Sequence, residues 1–302
     1  MLKLVILIIY FAVLIGIGLY CRKHATDVNG FVLGGRSVGP WLTAFAYGTS
    51  YFSAVVFVGY AGQFGWKYGI AATWAGIGNA IIGSLLAWVV LGRRTRIMSQ
   101  HLDSATMPQY FGKRFGSNPL KIGASVIIFI FLIPYTASLY NGLSRLFGMA
   151  FNIDYSVCII IMATLTAIYV IAGGYMATAI NDFIQGIIML FGIVAVIAAV
   201  IHSKGGFMSA LQGLANVSDP AVSDTPGIFA SFFGPDPFNL LCVVILTSLG
   251  TWGLPQMVQK FYAIDNEASI QKGTVISTIF ALIVSGGCYF LGGFGRLFSD
   301  QI

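Results

Sequence analysis

Residues Trp41–Ala61 read WLTAFAYGTSYFSAVVFVGYA. The stretch is long enough to cross a bilayer as a helix, which takes about 20 mostly apolar residues. Its middle, Gly48-Thr49-Ser50-Tyr51-Phe52-Ser53, is one that a plain membrane anchor avoids. A glycine and four hydroxyl side chains stand where lipid favours Leu and Val. Backbone and hydroxyls at that depth are tolerated only where neighbouring helices cover them or a wet cavity meets them. Two readings are open. One is a small, hydroxylated face for helix packing. The other is a helix interrupted at mid-membrane that turns free carbonyl oxygens toward a cation, as the discontinuous helices of secondary transporters do.

The rest of the 302 residues sets the environment. Hydrophobic residues make up 57%, charged residues 9%, and the mean hydropathy is +0.86. Soluble domains carry about 25% charged residues, so the chain is an all-α, polytopic integral membrane protein. A β-barrel is excluded because the apolar runs reach 20 residues and more instead of alternating in segments of about 10. Cys21, Cys158, Cys242 and Cys288 lack CxxC spacing, so they read as packing residues and not as a disulfide or zinc framework. His24, His101 and His202 are scattered, and no metal cluster is visible. The first 21 residues have too long an apolar run for a signal peptide and read as a retained helix.

Hydropathy predicts eight spans, near 2–20, 39–61, 69–92, 122–149, 155–175, 178–201, 238–259 and 274–297. On one side of the membrane the connections collect eleven basic residues: Arg22, Lys23, Arg36, Arg93, Arg94, Arg96, Lys113, Arg114, Lys121, Lys260 and Lys272. The other side has four, Lys3, Lys67, Lys204 and Arg296. The positive-inside rule then places the N-terminus outside and the loop 93–121 in the cytoplasm. The net charge of +6 is therefore topological, and nucleic-acid binding is not indicated. Ala72, Gly76, Ala80 and Ser84 form a small-residue stripe, read as packing. Met107 to Phe115 reads as a short amphipathic helix at the headgroups.

Among the ten carboxylates, nine fall in loops or at span ends; Asp182 lies a turn inside the sixth span. A central Asp costs about 2.5–3.5 kcal/mol on insertion scales, and a cation in a water-reachable pocket would offset that. Asp182 and Gln185 share a helix face. The alternative is an interfacial Asp capping a helix start. Arg145 reads as a snorkelling side chain. Tyr135 follows the kink former Pro134, so it either faces a cavity or packs in the core.

The seventh span repeats the oddity of the second. Thr247-Ser248-Leu249-Gly250-Thr251-Trp252-Gly253-Leu254-Pro255-Gln256 puts two Gly, a Pro and three hydroxyls into one apolar run. Gly and Pro interruptions at corresponding positions of two halves point to a transporter's binding site. The two stretches run in opposite directions with four spans between them. That is the spacing of two five-helix inverted repeats. The implied organisation is an extra helix and linker at 1–38, a first repeat at 39–202, an extracytoplasmic loop at 203–237 and the first two helices of a second repeat at 238–302.

With these residues in view, the chain resembles the sodium:solute symporter family. The likeness is carried by Phe31 to Pro40 (FVLGGRSVGP) with Thr49–Ala54, by Thr106 to Phe111 (TMPQYF) with Arg114-Phe115, by Gly173-Gly174-Tyr175 with Asn181 to Gly186 (NDFIQG), and by Gly253-Leu254-Pro255. The resemblance implies a LeuT-like inverted-repeat core behind an extra N-terminal helix, and sodium-driven uptake of a small solute by alternating access. It implies Na⁺ ligation by the backbone carbonyls of Thr49 and Phe52, with the Ser50 and Ser53 hydroxyls beside them and Asp182 on the sodium pathway. It places Tyr135 in the solute pocket, together with Tyr51, Thr247, Thr251 and Trp252 of the two broken helices. No cofactor beyond the coupling Na⁺ is implied.

Two departures qualify the likeness. The family's proline branch has an acidic residue where this chain has Tyr51 and a Trp where it has Thr247, so these positions look more like the pantothenate branch. The expected solute is a small organic carboxylate or an amino acid. Family members also carry about 13 spans, so these residues are expected to be the N-terminal part of a longer transporter and not to catalyse coupled transport alone. The rival class is an uncoupled channel or sensor on the same fold. An enzyme is not expected, since no His cluster, nucleophile–base pair or nucleotide loop is present.

Overall fold

The computed structural model describes residues 2–52 and 55–301. They are helical nearly throughout, with no strand among the described residues and two isolated β-bridges. The helices are α1 (Leu2–Cys21), α2 (Val28–Leu33), α3 (Pro40–Tyr51), α4 (Ala61–Tyr68), α5 (Thr73–Gly78), α6 (Arg93–His101), α7 (Met107–Phe115), α8 (Asn118–Phe151), α9 (Tyr155–Ser203), α10 (Phe207–Ala215), α11 (Pro237–Leu249), α12 (Pro255–Ala263) and α13 (Glu267–Gly293). Wider π-helical turns fill Val55–Tyr60, Asn79–Leu86 and Trp88–Gly92. Four helical stretches, Ala61–His101, α8, α9 and α13, are long and apolar enough to cross a membrane.

Chain signals explain most of the ends. α7 opens on a capping box, in which Thr106 accepts from the Gln109 amide at 3.4 Å and Gln109 reaches back to the Ala105 amide at 3.0 Å. Asp236 caps α11 by accepting from the Asn239 amide at 3.0 Å, with Pro237 in the first turn. α3 ends at Tyr51, and Phe52 already lies in a bend. α11 stops at Leu249 and α12 starts at Pro255, so residues 250–254 form a second interruption. The second lies where the Gly, Pro and hydroxyl pattern predicts it, and α3 ends within the first such pattern, whose Ser53 and Ala54 lie outside the described residues.

The spans expected at 155–175 and 178–201 are both present within α9, which breaks between them at Gly174 (φ 57°, ψ −149°). Only glycine adopts that backbone readily, and a Cβ at Gly174 would meet the Phe31 carbonyl oxygen at 2.8 Å. Because the helix runs through 175–186 unbroken, Asp182 caps no helix start.

The chain forms two compact units. The first contains residues 1–50, 88–186 and 253–274. In it, α1 crosses α9 closely, since a Cβ at Gly18 would lie 2.9 Å from the Tyr169 backbone. Arg36 donates to Ser99 Oγ, Ser99 O, Ser104 O and Tyr262 O at 2.8–3.3 Å. Arg96, 5% exposed, donates to Ile264 O at 2.6 Å and Asp265 O at 2.9 Å. These two arginines, read from the sequence as loop charges, are also clamps that join α6 to the end of α12.

The second unit contains residues 51–87, 187–252 and 275–302. Its centre is the small-residue stripe, which packs as predicted. A Cβ at Gly76 would meet the Gly286 backbone at 2.6 Å, and Ser84 Oγ lies 2.8 Å from Ser277 Oγ. Near the end of the chain, Arg296 donates to Trp66 O at 2.6 Å and Asp219 Oδ2 at 2.9 Å, with its guanidinium 3.8 Å from the Phe229 ring centroid. The unit boundaries at 50/51 and 252/253 fall inside the two interrupted stretches.

Candidate functional site

In the first unit the polar centre is Asp182. α9 carries it one turn from Thr178, whose hydroxyl donates to the Tyr175 carbonyl at 2.8 Å. Lys260 of α12 points its ammonium at the carboxylate, with Nζ 3.6 Å from Oδ2, and the two side chains are 8% and 22% exposed. The same ammonium sits 5.0 Å from the centroid of the Tyr175 ring. Thr49 of α3 lies close to the carboxylate, and its hydroxyl donates to the Phe45 carbonyl at 2.9 Å. Two predicted sodium residues, Thr49 and Asp182, are thus brought together.

Lys260 was counted in the sequence as a charge at a span end. The structure corrects this: it is a buried partner of Asp182, and it supplies the positive charge that the burial of the carboxylate requires. Around the pair the polar groups are incompletely satisfied. Both amide atoms of Asn181, both amide atoms of Gln256 and the Tyr175 hydroxyl are buried with no hydrogen-bond partner among the described residues. Gln256 lies one turn from Lys260 on α12, and Asn181 adjoins Asp182. Buried amides in this condition mark a place for water or an ion. Gln185, on the face of Asp182, meets the Tyr10 hydroxyl of α1.

In the second unit the centre is Asn79, 1% exposed. Its Oδ1 faces three hydroxyls at 3.1 Å each, those of Tyr51, Thr247 and Ser248. Its Nδ2 donates to Ser285 Oγ at 3.3 Å. Tyr51 OH also reaches the Thr247 carbonyl at 2.9 Å. At the interrupted end of α11, the Thr251 hydroxyl donates to Ser248 O at 3.0 Å and the Trp252 indole donates to Ile82 O at 3.0 Å. Four predicted solute residues, Tyr51, Thr247, Thr251 and Trp252, therefore belong to one polar cluster. The sequence reading missed its hub. A lone Asn in the apolar run WAGIGNAIIGSLL was the available signal, since polar side chains at membrane depth are costly and functional.

The remaining candidates are placed as follows. Ser50 closes the first unit's part of α3, and Phe52, 1% exposed, stacks near Tyr51 with ring centroids 4.5 Å apart. Ser53 lies outside the described residues. Tyr135 is half-buried on α8, where its carbonyl accepts from Ser138. Arg145 donates to Asn141 Oδ1 one turn back, at 2.9 Å.

With this geometry described, likeness to known proteins can be weighed. The profile of the sodium:solute symporter family matches residues 31–299. The chain belongs to the sodium:solute symporter family. This family member is 30% identical over 296 residues to the osmoregulated proline transporter OpuE of Bacillus subtilis (strain 168), covering 97% of this chain and 58% of that protein. It is 32% identical over 282 residues to a sodium/proline symporter of Staphylococcus aureus (strain JH9), covering 89% and 51%. The chain thus spans about half the length of the curated relatives it matches. Its fold is shared with a Na⁺-coupled sialic acid symporter solved in a substrate-bound outward-open state, at TM-score 0.77 and 17% identity, over all of this chain and 62% of that one. The fold is accordingly the LeuT-like one that the sequence pattern implies.

Proposed function

We propose that this chain serves sodium-coupled uptake of a small organic solute, a carboxylate or an amino acid, by alternating access. The observation that carries the reading is the intramembrane carboxylate of Asp182, paired with Lys260 and close to Thr49 at the end of α3. Hard oxygen donors of this kind suit an alkali ion, and an ionisable residue within a span defaults to a role on an ion path. The names of the relatives, proline transporters at 30–32% identity, support an amino-acid solute.

In this mechanism Na⁺ is taken at the C-terminal end of α3, by the carbonyl oxygens of Thr49 and Phe52 with the hydroxyls of Ser50 and Ser53. It leaves past Asp182. The solute is held by the cluster of Tyr51, Thr247, Thr251 and Trp252, and Tyr135 remains a candidate from its place in the family pattern. Asn79 acts as a positioning residue, because it aligns the hydroxyls of Tyr51 and Thr247. Inward movement of Na⁺ contributes about 2.3 kcal/mol per charge per 100 mV. The N-terminus faces outward and the loop 93–121 faces the cytoplasm.

The test is uptake of radiolabelled proline and pantothenate into proteoliposomes holding the full-length chain, with and without an inward Na⁺ gradient. Gradient-dependent accumulation of either supports the reading. Equal flux with and without the gradient overturns it in favour of an uncoupled pore.

A further inference from the structure

The environment of Asp182 holds a feature that sodium coupling alone does not require. Its carboxylate already has a cation, the Lys260 ammonium, carried on a different helix. Their separation of 3.6 Å exceeds the 2.7–2.9 Å of a fully formed charge-assisted hydrogen bond. The pair is therefore close enough to compensate charge and loose enough to part. Lysine suits such an exchange, being a compact point charge on a flexible four-carbon stem. Tyr175 offers its ring face to the ammonium at 5.0 Å, which gives the cation a second resting contact. The unpartnered amides of Asn181 and Gln256 lie next in sequence to Asp182 and one turn from Lys260.

We propose that Lys260 is a resident counter-cation at Asp182, displaced from the carboxylate when Na⁺ binds and restored to it when Na⁺ leaves. The proposal rests on the sodium reading above and deepens it. Na⁺ and the ammonium compete for one carboxylate, so Lys260 sets how much Na⁺ is needed. It also spares the ion-free protein an uncompensated buried charge. Lys260 keeps its proton throughout, and the exchange is one of position alone.

The test measures binding of radiolabelled Na⁺ to the purified full-length chain in nanodiscs, alongside Na⁺-dependent uptake. With its competitor removed, Lys260→Gln is expected to lower the half-saturating Na⁺ concentration about tenfold, within the 5- to 150-fold range of ordinary site–site coupling. Lys260→Arg retains a cation and is expected to leave that concentration at or above the wild-type value. In an Asp182→Asn background, Lys260→Gln is expected to lower it by clearly less than in the wild type, the non-additivity of residues in contact. An unchanged or raised half-saturating concentration in folded Lys260→Gln overturns the proposal and leaves Lys260 as a strap between α12 and α9. Should that variant fail to fold, tighter Na⁺ binding by Lys260→Arg overturns it, and equal or weaker binding supports it. A wild-type protein that binds no Na⁺ defeats the sodium reading itself, an outcome separate from any difference among the variants.

Discussion

Asp182 places a carboxylate in an apolar helix, and Lys260 answers it from α12. Removing one partner of a buried pair is worth about 3–5 kcal/mol, because the other charge is left without compensation. Asp182→Asn should therefore do two things: raise the Na⁺ concentration for half-maximal uptake and lower the thermal transition of the purified protein. Adding Lys260→Gln should recover part of the lost stability, which thermal unfolding in detergent will measure. Asn79 makes a different prediction. Truncation to Ala strands the hydroxyls of Tyr51, Thr247 and Ser248, and an unsatisfied buried polar group costs about 1–3 kcal/mol. If that loss falls on the solute site, Asn79→Ala raises the KM for solute by about tenfold or more, with little change in Na⁺ dependence. Solute-concentration series at fixed Na⁺ will check it. Neither residue's importance was fully legible beforehand. Asp182 stood out because a carboxylate inside an apolar run is unmistakable. Lys260 did not, since a lysine near a span end is treated as a loop charge. Asn79 was passed over because hydroxyls and carboxylates drew the attention that a single amide also warranted.

Among the elements, the interruptions were the most legible part of the fold. Gly48 to Ser53 and Gly250 to Pro255 combine residues that leave backbone groups free, and the helices end at Tyr51 and Leu249 accordingly. The break between the fifth and sixth spans was legible as well: Gly173-Gly174 and the polar residues after them lower the local hydropathy, and α9 leaves helical geometry at Gly174. The π-helical turns left no trace in hydropathy, since shifting the ladder by one residue changes no side chain's polarity. Gly174 supplies the element-scale prediction. With φ at 57° and the Phe31 carbonyl 2.8 Å from a Cβ, Gly174→Ala should destabilise the protein by about 1–3 kcal/mol. A lowered thermal transition in detergent, with no gain or loss of a titrating group, is the expected result.

For the molecule as a whole, two of the sequence's inferences concern what surrounds it. Helices dense with exposed Ile, Leu, Val and Phe, such as α8 and α9, identify a multi-pass membrane protein. The proposed orientation rests on basic residues, several of which, Arg36 and Arg96 among them, also hold carbonyl groups inside the fold. Arg94 and Lys272 remain as plain markers. A cysteine placed at Arg94 in a cysteine-free background should react with an impermeant maleimide in inside-out vesicles and not in right-side-out ones. The reverse pattern would invert the proposed topology. Family membership, which the motif series from Phe31 to Pro255 already suggested, was legible because each motif sits where the chain must bend, cap or open. The identity of the solute was not, because the side chains proposed to hold it meet at Asn79 from stretches 28 and 168 residues away.

Arg96 has a consequence for how the protein is made. Its guanidinium is buried against the carbonyls of Ile264 and Asp265, which the ribosome reaches only 168 residues later. At about 5–20 residues per second, some 8–34 s pass between the synthesis of the donor and that of its acceptors. During that interval α6 has to be sheltered at the bilayer surface or by the insertion machinery. Biogenesis therefore closes this clamp late, and a stalled or shortened nascent chain would present an unpartnered arginine to cellular quality control.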